Sequence, residues 1–454
     1  MLRLESIVIF ALVVLLHGSC MAAAYDGNIM KSSILSKYVA NAQRSAVLRE
    51  RLLDYSPPGE TTVKKCGRRF HDLIHRLPPY KPTGSFLVTV CNGGLNQQRG
   101  AIVNAVVLAR FLNLTLVVPF LKAHPVWGDS SSFQDLFNLT HFDSVMKGFV
   151  KVVTTIPEEA KQLPIHEFRP PEDALATIVL LSPFARRLGN FLPESWQLFR
   201  CKVNYEGLRF VNSILVLGRK VIRRMKKMSS NFVSLHWRFE TDAVAYSMCE
   251  FGGGEKEKLA LEEYRVEHWD RATRKLREAL NPASQRVLGQ CPMSAIETGI
   301  FMRAMGVRKS SAIYVATLEG QLFGGNYSLQ SLRSMFPNAL SKRDILTREE
   351  LGPLEGRASA LAAIDYIVST ESDIFIPTAT GNFPNFVIGH RLYYGRRSVQ
   401  PDLKKLASLN SCHHMSECEL LELVRAVHED RFIYHGRSAT SNFFANPEEC
   451  LCPP

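Results

Sequence analysis

The stretch "SFLVTVCNGGLNQQRGAIVNAVVLARFLNLTLVVP", residues 85–119, carries the pattern that decides the fold. Apolar and β-branched residues at 86–90 predict a strand, and "LTLVVP" at 114–119 predicts another. Between them, apolar side chains recur at helical spacing from Asn96 to Phe111. A strand, a helix and a second strand in this order form a βαβ unit, which implies a parallel sheet.

The loop between the first strand and the helix is a candidate binding loop. Gly93 and Gly94 permit close approach of the backbone to a ligand. Asn96 is predicted to cap the helix, whose N-terminus favours anions and polar ligands. The loop follows neither the dinucleotide-binding nor the ATP-binding glycine pattern. On this pattern alone, a tight turn and a ligand-binding loop are equally good interpretations.

The rest of the chain repeats the alternation of strands and helices. "FVSLHWRF" at 232–239 opens a second half, and "AIYVAT" and "DIFIPT" are its further predicted strands. Helices are predicted near 263–280, 293–305 and 357–370. The 454 residues suit two doubly wound α/β domains, with a site between them at the carboxyl ends of strands.

The N-terminal residues indicate entry into the secretory pathway. Arg3 precedes an unbroken apolar run from Ile7 to Leu16, and small residues follow as far as Ala24. Residues 1–24 are therefore predicted to be a signal peptide or, alternatively, a short signal anchor. Ten cysteines suit an oxidising compartment, although their pairing cannot be deduced. Three sequons give candidate glycosylation sites at Asn113, Asn138 and Asn326.

The formal charge of +12 raises the question of an anionic partner. "GRKVIRRMKKM" at 218–228 holds six Lys or Arg in eleven residues. It predicts either a surface for polyanions or, more simply, a solvated amphipathic helix. A lumenal location counts against nucleic acid as the partner. "CHHMSEC" at 412–418 lacks standard zinc spacing and favours a disulfide or a plain loop over a metal site.

A second candidate site lies in "SLHWRFETD" at 234–242. Because alternate strand residues share a face, His236 and Arg238 point the same way, while Trp237 and Phe239 point into packing. The guanidinium of arginine offers a planar fork of donors that matches phosphate oxygens. The alternative is a strand end that carries a salt bridge.

The third candidate lies in "AIDYIVSTESDIFIPTATGNFPNF" at 363–386. Asp365 lies on a predicted helix, where it is either a ligand for a nucleoside or a solvated residue. After the next strand, Gly381, Asn382 and Phe383 form a turn into a helix that is predicted to start near Pro384. The free backbone N–H groups of such a turn suit a phosphate.

The chain is similar to the plant protein O-fucosyltransferase-like family of glycosyltransferases. The blocks that carry the resemblance run from Ser85 to Arg397 and include "GGLNQQR", "FQDLFNLTHF", "HWRFETDAVAYSMCEFGGGEKE", "SALAAIDYIVSTESDIFIPTATGNF" and "GHRLYYG". The resemblance implies an α/β fold of the GT-B type, with two Rossmann-like domains that face a cleft. We place these domains at residues 85–228 (acceptor side) and 229–440 (nucleotide-sugar side), between a stem at 25–84 and a tail at 441–454.

The resemblance also implies roles for the candidate residues. Arg238, with His236 beside it, would bind the donor pyrophosphate. Asp365 would contact the base, and Gly381, Asn382 and Phe383 would hold phosphate. The residues expected to face the acceptor and the sugar are Gly93, Gly94, Asn96 and Arg99.

The activity implied is metal-independent inversion with a nucleotide-sugar co-substrate, GDP-fucose first, and without any other cofactor. The acceptor would be a protein or a cell-wall glycan in the Golgi lumen, with membrane association through the N-terminus. Related plant enzymes use UDP-rhamnose, so a pectin rhamnosyltransferase is one alternative. A non-catalytic glycan-binding or scaffold protein is another.

The first glycine loop contains no residue that could act as the catalytic base. Some animal relatives carry a glutamate in the first glycine loop, where this chain has Gly93 and no carboxylate. Asp129 is the first candidate for the base, and His124 is the second. The alternative role for Asp129 is a helix cap before "SSFQDLF".

Overall fold

The computed structural model describes residues 76–123, 128–162, 193–409 and 416–428, together with 74, 432–433, 444–445, 447 and 450. The predicted signal segment, most of the predicted stem and tail, His124 and residues 412–415 lie outside this part of the chain. No helix in the described ranges has both the length and the apolar character needed to cross a bilayer.

Eleven strands are present in the described residues. They are β1 Phe86–Leu87, β2 Val90–Cys91, β3 Thr115–Val117, β4 Phe120–Leu121, β5 Val152–Val153, β6 Phe232–His236, β7 Ala312–Ala316, β8 Ala339–Ser341, β9 Ile374–Pro377, β10 Arg397–Val399 and β11 Phe432–Ile433.

Among the described residues of the N-terminal half (up to residue 228), the α-helices are α1 Leu95–Phe111, α2 Phe133–Leu136, α3 Leu139–Met146, α4 Glu194–Cys201 and α5 Asn212–Met228, with a π-helix at Lys202–Gly207. Those of the C-terminal half are α6 Thr241–Ser247, α7 Gly254–His268, α8 Arg271–Glu278, α9 Pro282–Val287, α10 Ala295–Ala304, α11 Asn326–Met335, α12 Lys342–Ile345, α13 Arg348–Leu351, α14 Ala358–Glu371, α15 Asn382–Tyr393, α16 Leu403–Leu409 and α17 Glu417–Ala426.

Each half is built on parallel strands. In the N-terminal half, β1, β3 and β5 form one small sheet, and β2 and β4 form another. The C-terminal half holds a six-stranded sheet in the order β11-β10-β9-β6-β7-β8, which is parallel except for β11. This topology confirms the predicted α/β fold with two Rossmann-like halves of the GT-B type. The predicted domain boundaries themselves stay predictions.

The opening βαβ unit is present, with two differences from prediction. The apolar run at 86–90 is two short strands, because β1 pairs with β3 whereas β2 pairs with β4. Outward-facing Val88 and Val90 are both more than half exposed, so apolar composition there does not mean burial. Helix α1 begins at Leu95 with Gly94 as its N-cap. The prediction that Asn96 caps this helix is therefore wrong, since Asn96 lies inside its first turn.

In the C-terminal half, the predicted strands and the helices near 293–305 and 357–370 are present as β6, β7, β9, α10 and α14. The single helix predicted near 263–280 is wrong, because α7 ends at His268 and α8 begins at Arg271. Asp270 separates them as an N-cap that accepts a hydrogen bond from the backbone N–H of Thr273 at 2.9 Å. The short strands β8 and β10 were missed, since three residues give too little periodicity.

The basic segment at 218–228 lies on α5, which packs against α14. Gly218 makes the contact possible, because a Cβ there would lie 2.8 Å from Cγ2 of Ile367. On one flank of the helix, Lys220 and Arg224 bind Glu350 at 2.8 and 2.6 Å. The exposed face carries Arg219, Arg223, Lys226 and Lys227. The amphipathic-helix interpretation is thus what the packing shows, and a polyanion surface stays a prediction.

Within the described residues, two disulfides join distant parts of the chain, Cys201–Cys450 and Cys249–Cys291. Two free thiols are also described, a buried one at Cys91 and an exposed one at Cys418. Burial raises the pKa of the Cys91 thiol to about 12, although a hydrogen bond from Thr89 opposes the rise. Cys91 is thus a protonated, unreactive residue at the start of the glycine loop.

The three sequons differ in how accessible their asparagines are. Asn113 and Asn138 are half-buried, and their side-chain oxygens accept hydrogen bonds from the backbone N–H groups of Lys81 at 3.2 Å and His141 at 2.9 Å. Asn326 is exposed as the first residue of α11. Glycosylation stays a prediction at all three positions.

Candidate functional site

Three neighbouring strands of the large sheet end at the candidate site. His236, the last residue of β6, is in register with Ala316 of β7 on one side and with Pro377 of β9 on the other. Polar residues follow each strand: Thr317 comes directly after β7, Thr378 comes directly after β9, and Arg238 is the second residue after β6. Ligand sites of open parallel sheets form at this edge.

A ring contact between His236 and Phe383 joins the end of β6 to helix α15. Their rings stack with centroids 4.5 Å apart and planes 19° apart, and Phe383 lies in the first turn of α15. His236 is 8% exposed, and its Nδ1 has no partner in the described part of the chain. Burial, aided by the charge of Arg238, lowers the pKa of His236 to about 3, so the imidazole is neutral at physiological pH.

Thr378 joins the loop after β9 to the loop after β6. Its Oγ1 accepts a hydrogen bond from the backbone N–H of Arg238 at 3.0 Å and lies 3.2 Å from the carbonyl oxygen of His236. Gly381 is the N-cap of the following helix, α15. The N–H groups of Asn382 and Phe383 precede the first intrahelical bond, so the helix itself leaves them for a ligand. A helix N-terminus of this kind suits an anion.

The guanidinium of Arg238 is held by two carboxylates, those of Glu240 and Asp242. Its Nη1 donates to Glu240 at 2.8 Å and to Asp242 at 2.9 Å, and its Nη2 donates to Asp242 at 2.6 Å. Burial alone would lower the pKa of Arg238, but the two carboxylates outweigh it and raise that pKa above its ordinary value. These bonds use three of the five guanidinium N–H groups. The side chain is 30% exposed, so its remaining N–H groups can reach a ligand.

The prediction that Trp237 and Phe239, after β6, point into the packing is confirmed. Trp237 is fully buried, and Phe239 is 4% exposed. The indole N–H of Trp237 donates to the carbonyl oxygen of Met293 at 3.0 Å. The packing of these two rings fixes the backbone from which Arg238 projects.

Asp365 is buried, so its interpretation as a solvated helix residue is wrong. It is 5% exposed, and its Oδ1 accepts a hydrogen bond from the hydroxyl of Tyr314 at 2.6 Å. The ammonium of Lys342 lies 3.2 Å from Oδ1 and 2.9 Å from Oδ2. Burial raises the pKa of Asp365 to about 6, with Lys342 opposing the rise. Neither Lys342 nor Tyr314 was predicted from the sequence.

A continuous set of polar contacts runs from Arg238 to Asp365. Glu240, which binds Arg238, accepts a hydrogen bond from the hydroxyl of Thr317 at 3.2 Å. Lys342 donates to the carbonyl oxygen of Thr317 at 2.5 Å and also binds Asp365. The ends of β6, β7 and β8 are thereby linked to helix α14.

The glycine loop, which precedes α1, belongs to the N-terminal half. Gly93 has a φ of 82°, and a Cβ there would lie 2.9 Å from Cβ of Gln97, so this position requires glycine. Asn96 is 3% exposed, and its Oδ1 has no partner in the described residues. Helix α1, which follows the loop, contacts α15 of the other half.

Arg99, which was expected to face the acceptor and the sugar, is buried on α1. It is 1% exposed, its Nε donates to Oδ1 of Asn204 at 2.8 Å and its Nη2 donates to the Asn204 carbonyl. Its guanidinium carbon lies 5.8 Å from the ring of Phe210 and 5.5 Å from that of Tyr366, which belongs to α14 of the other half. Arg99 is therefore a contact between the two halves, and its predicted role as a sugar ligand stays a prediction.

Asp129 also joins the two halves. Its Oδ1 accepts a hydrogen bond from the backbone N–H of Ser131 at 2.8 Å, and its Oδ2 accepts one from that of Ser359 in the first turn of α14. Burial raises the pKa of Asp129, but these hydrogen bonds outweigh it and the pKa lies below its ordinary value. A lowered pKa makes this carboxylate a weaker base, and its role as the catalytic base stays a prediction. The alternative prediction, that Asp129 is a helix cap before "SSFQDLF", is wrong, because Ser132 is the N-cap of α2.

Comparisons with known proteins identify the family. The sequence profile described as GDP-fucose protein O-fucosyltransferase matches residues 86–394. O-fucosyltransferase 29 of Arabidopsis thaliana is 40% identical over 362 residues, covering 76% of this chain and 64% of that protein. Protein ESMERALDA 1 of the same plant is 38% identical over 354 residues, covering 72% of this chain and 62% of that protein.

The chain thus spans less than two thirds of the length of these two relatives. Among solved structures, POFUT1 in complex with GDP-fucose is 14% identical with a TM-score of 0.38, covering 71% of this chain and 99% of that chain. The profile match and the identity to the two plant proteins extend over most of the described fold. The chain belongs to the GDP-fucose protein O-fucosyltransferase family.

Proposed function

We propose that the protein is a glycosyltransferase that moves fucose from GDP-fucose to a hydroxyl of a protein or cell-wall glycan. The observation that carries the proposal is the convergence of Arg238, the His236–Phe383 stack and the N-terminus of α15 at the ends of β6 and β9. The names of the family and of its plant members support the same donor and reaction.

In this proposal the diphosphate of the donor lies between Arg238 and the first turn of α15. As the bond between the sugar carbon and the phosphate oxygen breaks, negative charge develops on the leaving diphosphate. The N–H groups of Arg238, Asn382 and Phe383 stabilise that charge, and one well-placed donor of this kind is typically worth about 3–4 kcal/mol. These fixed donors support a reaction without a metal ion.

The acceptor and the sugar would approach from the glycine loop. The acceptor oxygen forms a bond to the sugar carbon as GDP departs on the opposite side, which inverts the configuration at that carbon. The free Oδ1 of Asn96 would accept a hydrogen bond from a hydroxyl of the sugar or of the acceptor. Asp129 is not proposed as the base, and the hydroxyl proton passes to solvent.

The proposed location is the secretory pathway, with the Golgi lumen first. It is supported by the apolar run from Ile7 to Leu16 and by the sequons at Asn113, Asn138 and Asn326. The N-terminal segment would attach the protein to the membrane if it is not cleaved.

A binding panel tests the donor and the activity together. We expect the purified protein to bind GDP and GDP-fucose in calorimetry, and to release GDP when a suitable acceptor is added. Binding of UDP and UDP-rhamnose in place of GDP would replace this proposal with rhamnosyl transfer. A folded protein that binds neither nucleotide would be a scaffold or glycan-binding protein instead.

A further inference from the structure

The buried ion pair between Lys342 and Asp365 lies outside the catalytic steps just described. The side chain of Lys342 is 1% exposed and that of Asp365 is 7% exposed. Removing two charges from water is costly, and such a pair is often no more stable than apolar residues of the same volume. A role in folding alone is therefore a weak explanation for its presence beside the candidate donor site.

The geometry determines which part of the carboxylate is left for a ligand. An ionised carboxylate offers about four lone-pair sites, two on each oxygen. Oδ1 of Asp365 accepts from Tyr314 and from Lys342, whereas Oδ2 accepts only from Lys342 among the residues that the structure describes. One site on Oδ2 therefore remains, and its direction is set by the two residues that occupy the others.

Lys342 is itself fixed from two directions. Its ammonium donates to the carbonyl oxygen of Thr317 at 2.5 Å as well as to Asp365. The backbone of Lys342 begins α12, where Asp344 and the hydroxyl of Ser341 complete a capping box. The ammonium thus has little freedom to follow a displaced carboxylate, and it keeps Asp365 as an ionised acceptor.

We propose that Lys342 and Tyr314 are positioning residues for the nucleoside end of the donor, because together they leave one aimed lone pair of Asp365 for an N–H group of the base. This proposal rests on the proposed function, since it requires a nucleotide to bind at this site. The N–H groups of a guanine edge are the chemistry that such a lone pair would recognise. The diphosphate end, which contacts Arg238, does not depend directly on Lys342.

The experiment compares the binding of GDP with that of inorganic pyrophosphate by calorimetry. Tyr314→Phe removes one hydroxyl at constant ring volume, and Lys342→Met removes the charge at similar length. Each is expected to raise the Kd for GDP about tenfold or more, which corresponds to about 1.4 kcal/mol. The Kd for pyrophosphate should change less than twofold. Lys202→Met, which removes a largely buried lysine paired with Glu206 in the other half, is the matched control and should leave both constants unchanged.

The double variant Lys342→Met/Asp365→Asn separates positioning from folding. Removing both charges should restore thermal stability relative to Lys342→Met, yet leave GDP affinity low. Recovery of both would overturn the proposal, and so would equal losses for GDP and pyrophosphate. If Lys342→Met fails to fold, unchanged GDP affinity in Tyr314→Phe is the overturning result. A wild-type protein that binds no GDP would instead overturn the proposed function, and this proposal with it.

Discussion

The carboxylate of Asp129 accepts a hydrogen bond from the backbone N–H of Ser359. A residue of the N-terminal half therefore caps α14, the helix that carries Asp365. A negative charge at a helix N-terminus is stabilising, because it meets both free N–H groups and the helix dipole. Two residues that are 230 positions apart thereby fix the helix α14 against the first half of the molecule.

Replacing Asp129 separates this structural role from the role of a catalytic base. Asp129→Asn keeps an acceptor but loses the charge, so we expect the free energy of unfolding to fall by about 1–2 kcal/mol. The transfer rate of the folded enzyme should change less than threefold, whereas loss of a general base typically costs about 10²–10⁴-fold. Urea unfolding and initial rates at 25 °C measure the two effects. A hundredfold slower enzyme of normal stability would restore the base assignment.

The same contact gives an acid dependence of stability. The pKa of Asp129 is lowered in the folded state, so its contribution is present above the ordinary pKa of a carboxyl group. The contribution is lost as the pH falls through the lower, folded-state value. We therefore expect wild type and Asp129→Asn to converge in stability below about pH 4. Unfolding curves at several pH values would show a constant difference if the cap carried no charge.

Arg238 should be indispensable for donor turnover. Arg238→Ala removes the fixed positive charge beside the proposed diphosphate, so we expect kcat/KM for GDP-fucose to fall about 10²–10³-fold. Pyrophosphate binding should weaken in parallel. Arg303→Ala removes an exposed arginine paired with Glu417 elsewhere on the same half, and it should have no effect on either measurement. Normal turnover by Arg238→Ala would show that the diphosphate binds elsewhere.

Binding of GDP should depend on the ionisation of Asp365. The groups that face this carboxylate are Lys342, Tyr314 and Glu319, and burial among them raises its pKa to about 6. Asp365 is therefore ionised above this pH and becomes protonated as the pH falls through it. Since a protonated carboxyl has lost acceptor capacity, GDP affinity should drop below pH 6.

The phosphate of GDP also titrates near pH 6, so the comparison needs a variant that lacks the carboxyl group. In Asp365→Asn, only the phosphate contribution should remain. The ratio of the two Kd values isolates Asp365, and we expect that ratio to approach one at low pH. A ratio that is constant between pH 5 and pH 8 would mean that the carboxylate does not contact the base.

The sequence was sufficient where local pattern controls structure. Helix α1 and strands β6, β7 and β9 have strong periodicity or β-branched composition, and Arg238 could be placed because it lies two residues beyond the end of a strand. It was insufficient where a partner is distant in the chain. A lysine is ordinarily exposed, so nothing in "LSKRDI" indicates that Lys342 is buried against Asp365. For the same reason, nothing in the sequence around Arg99 indicates that its partners are Asn204 and Tyr366.

Two glycines with the same backbone conformation provide the last test. Gly84 and Gly93 both have a φ of 82°, but only Gly93 has a neighbour in the way, with Gln97 2.9 Å from the position of a Cβ. Each substitution by alanine pays the cost of a positive φ, about 1 kcal/mol. Gly93→Ala must in addition displace Gln97 and the start of α1.

We therefore expect Gly93→Ala to destabilise the protein more than Gly84→Ala does, by about 1–3 kcal/mol. Because the displaced turn also carries Asn96, only Gly93→Ala should raise the KM for the acceptor, while pyrophosphate binding at Arg238 stays unchanged. Thermal unfolding of both variants and initial rates at varied acceptor concentration make the comparison. Equal behaviour of the two variants would mean that the glycine loop is only a turn and that the acceptor approaches from another side.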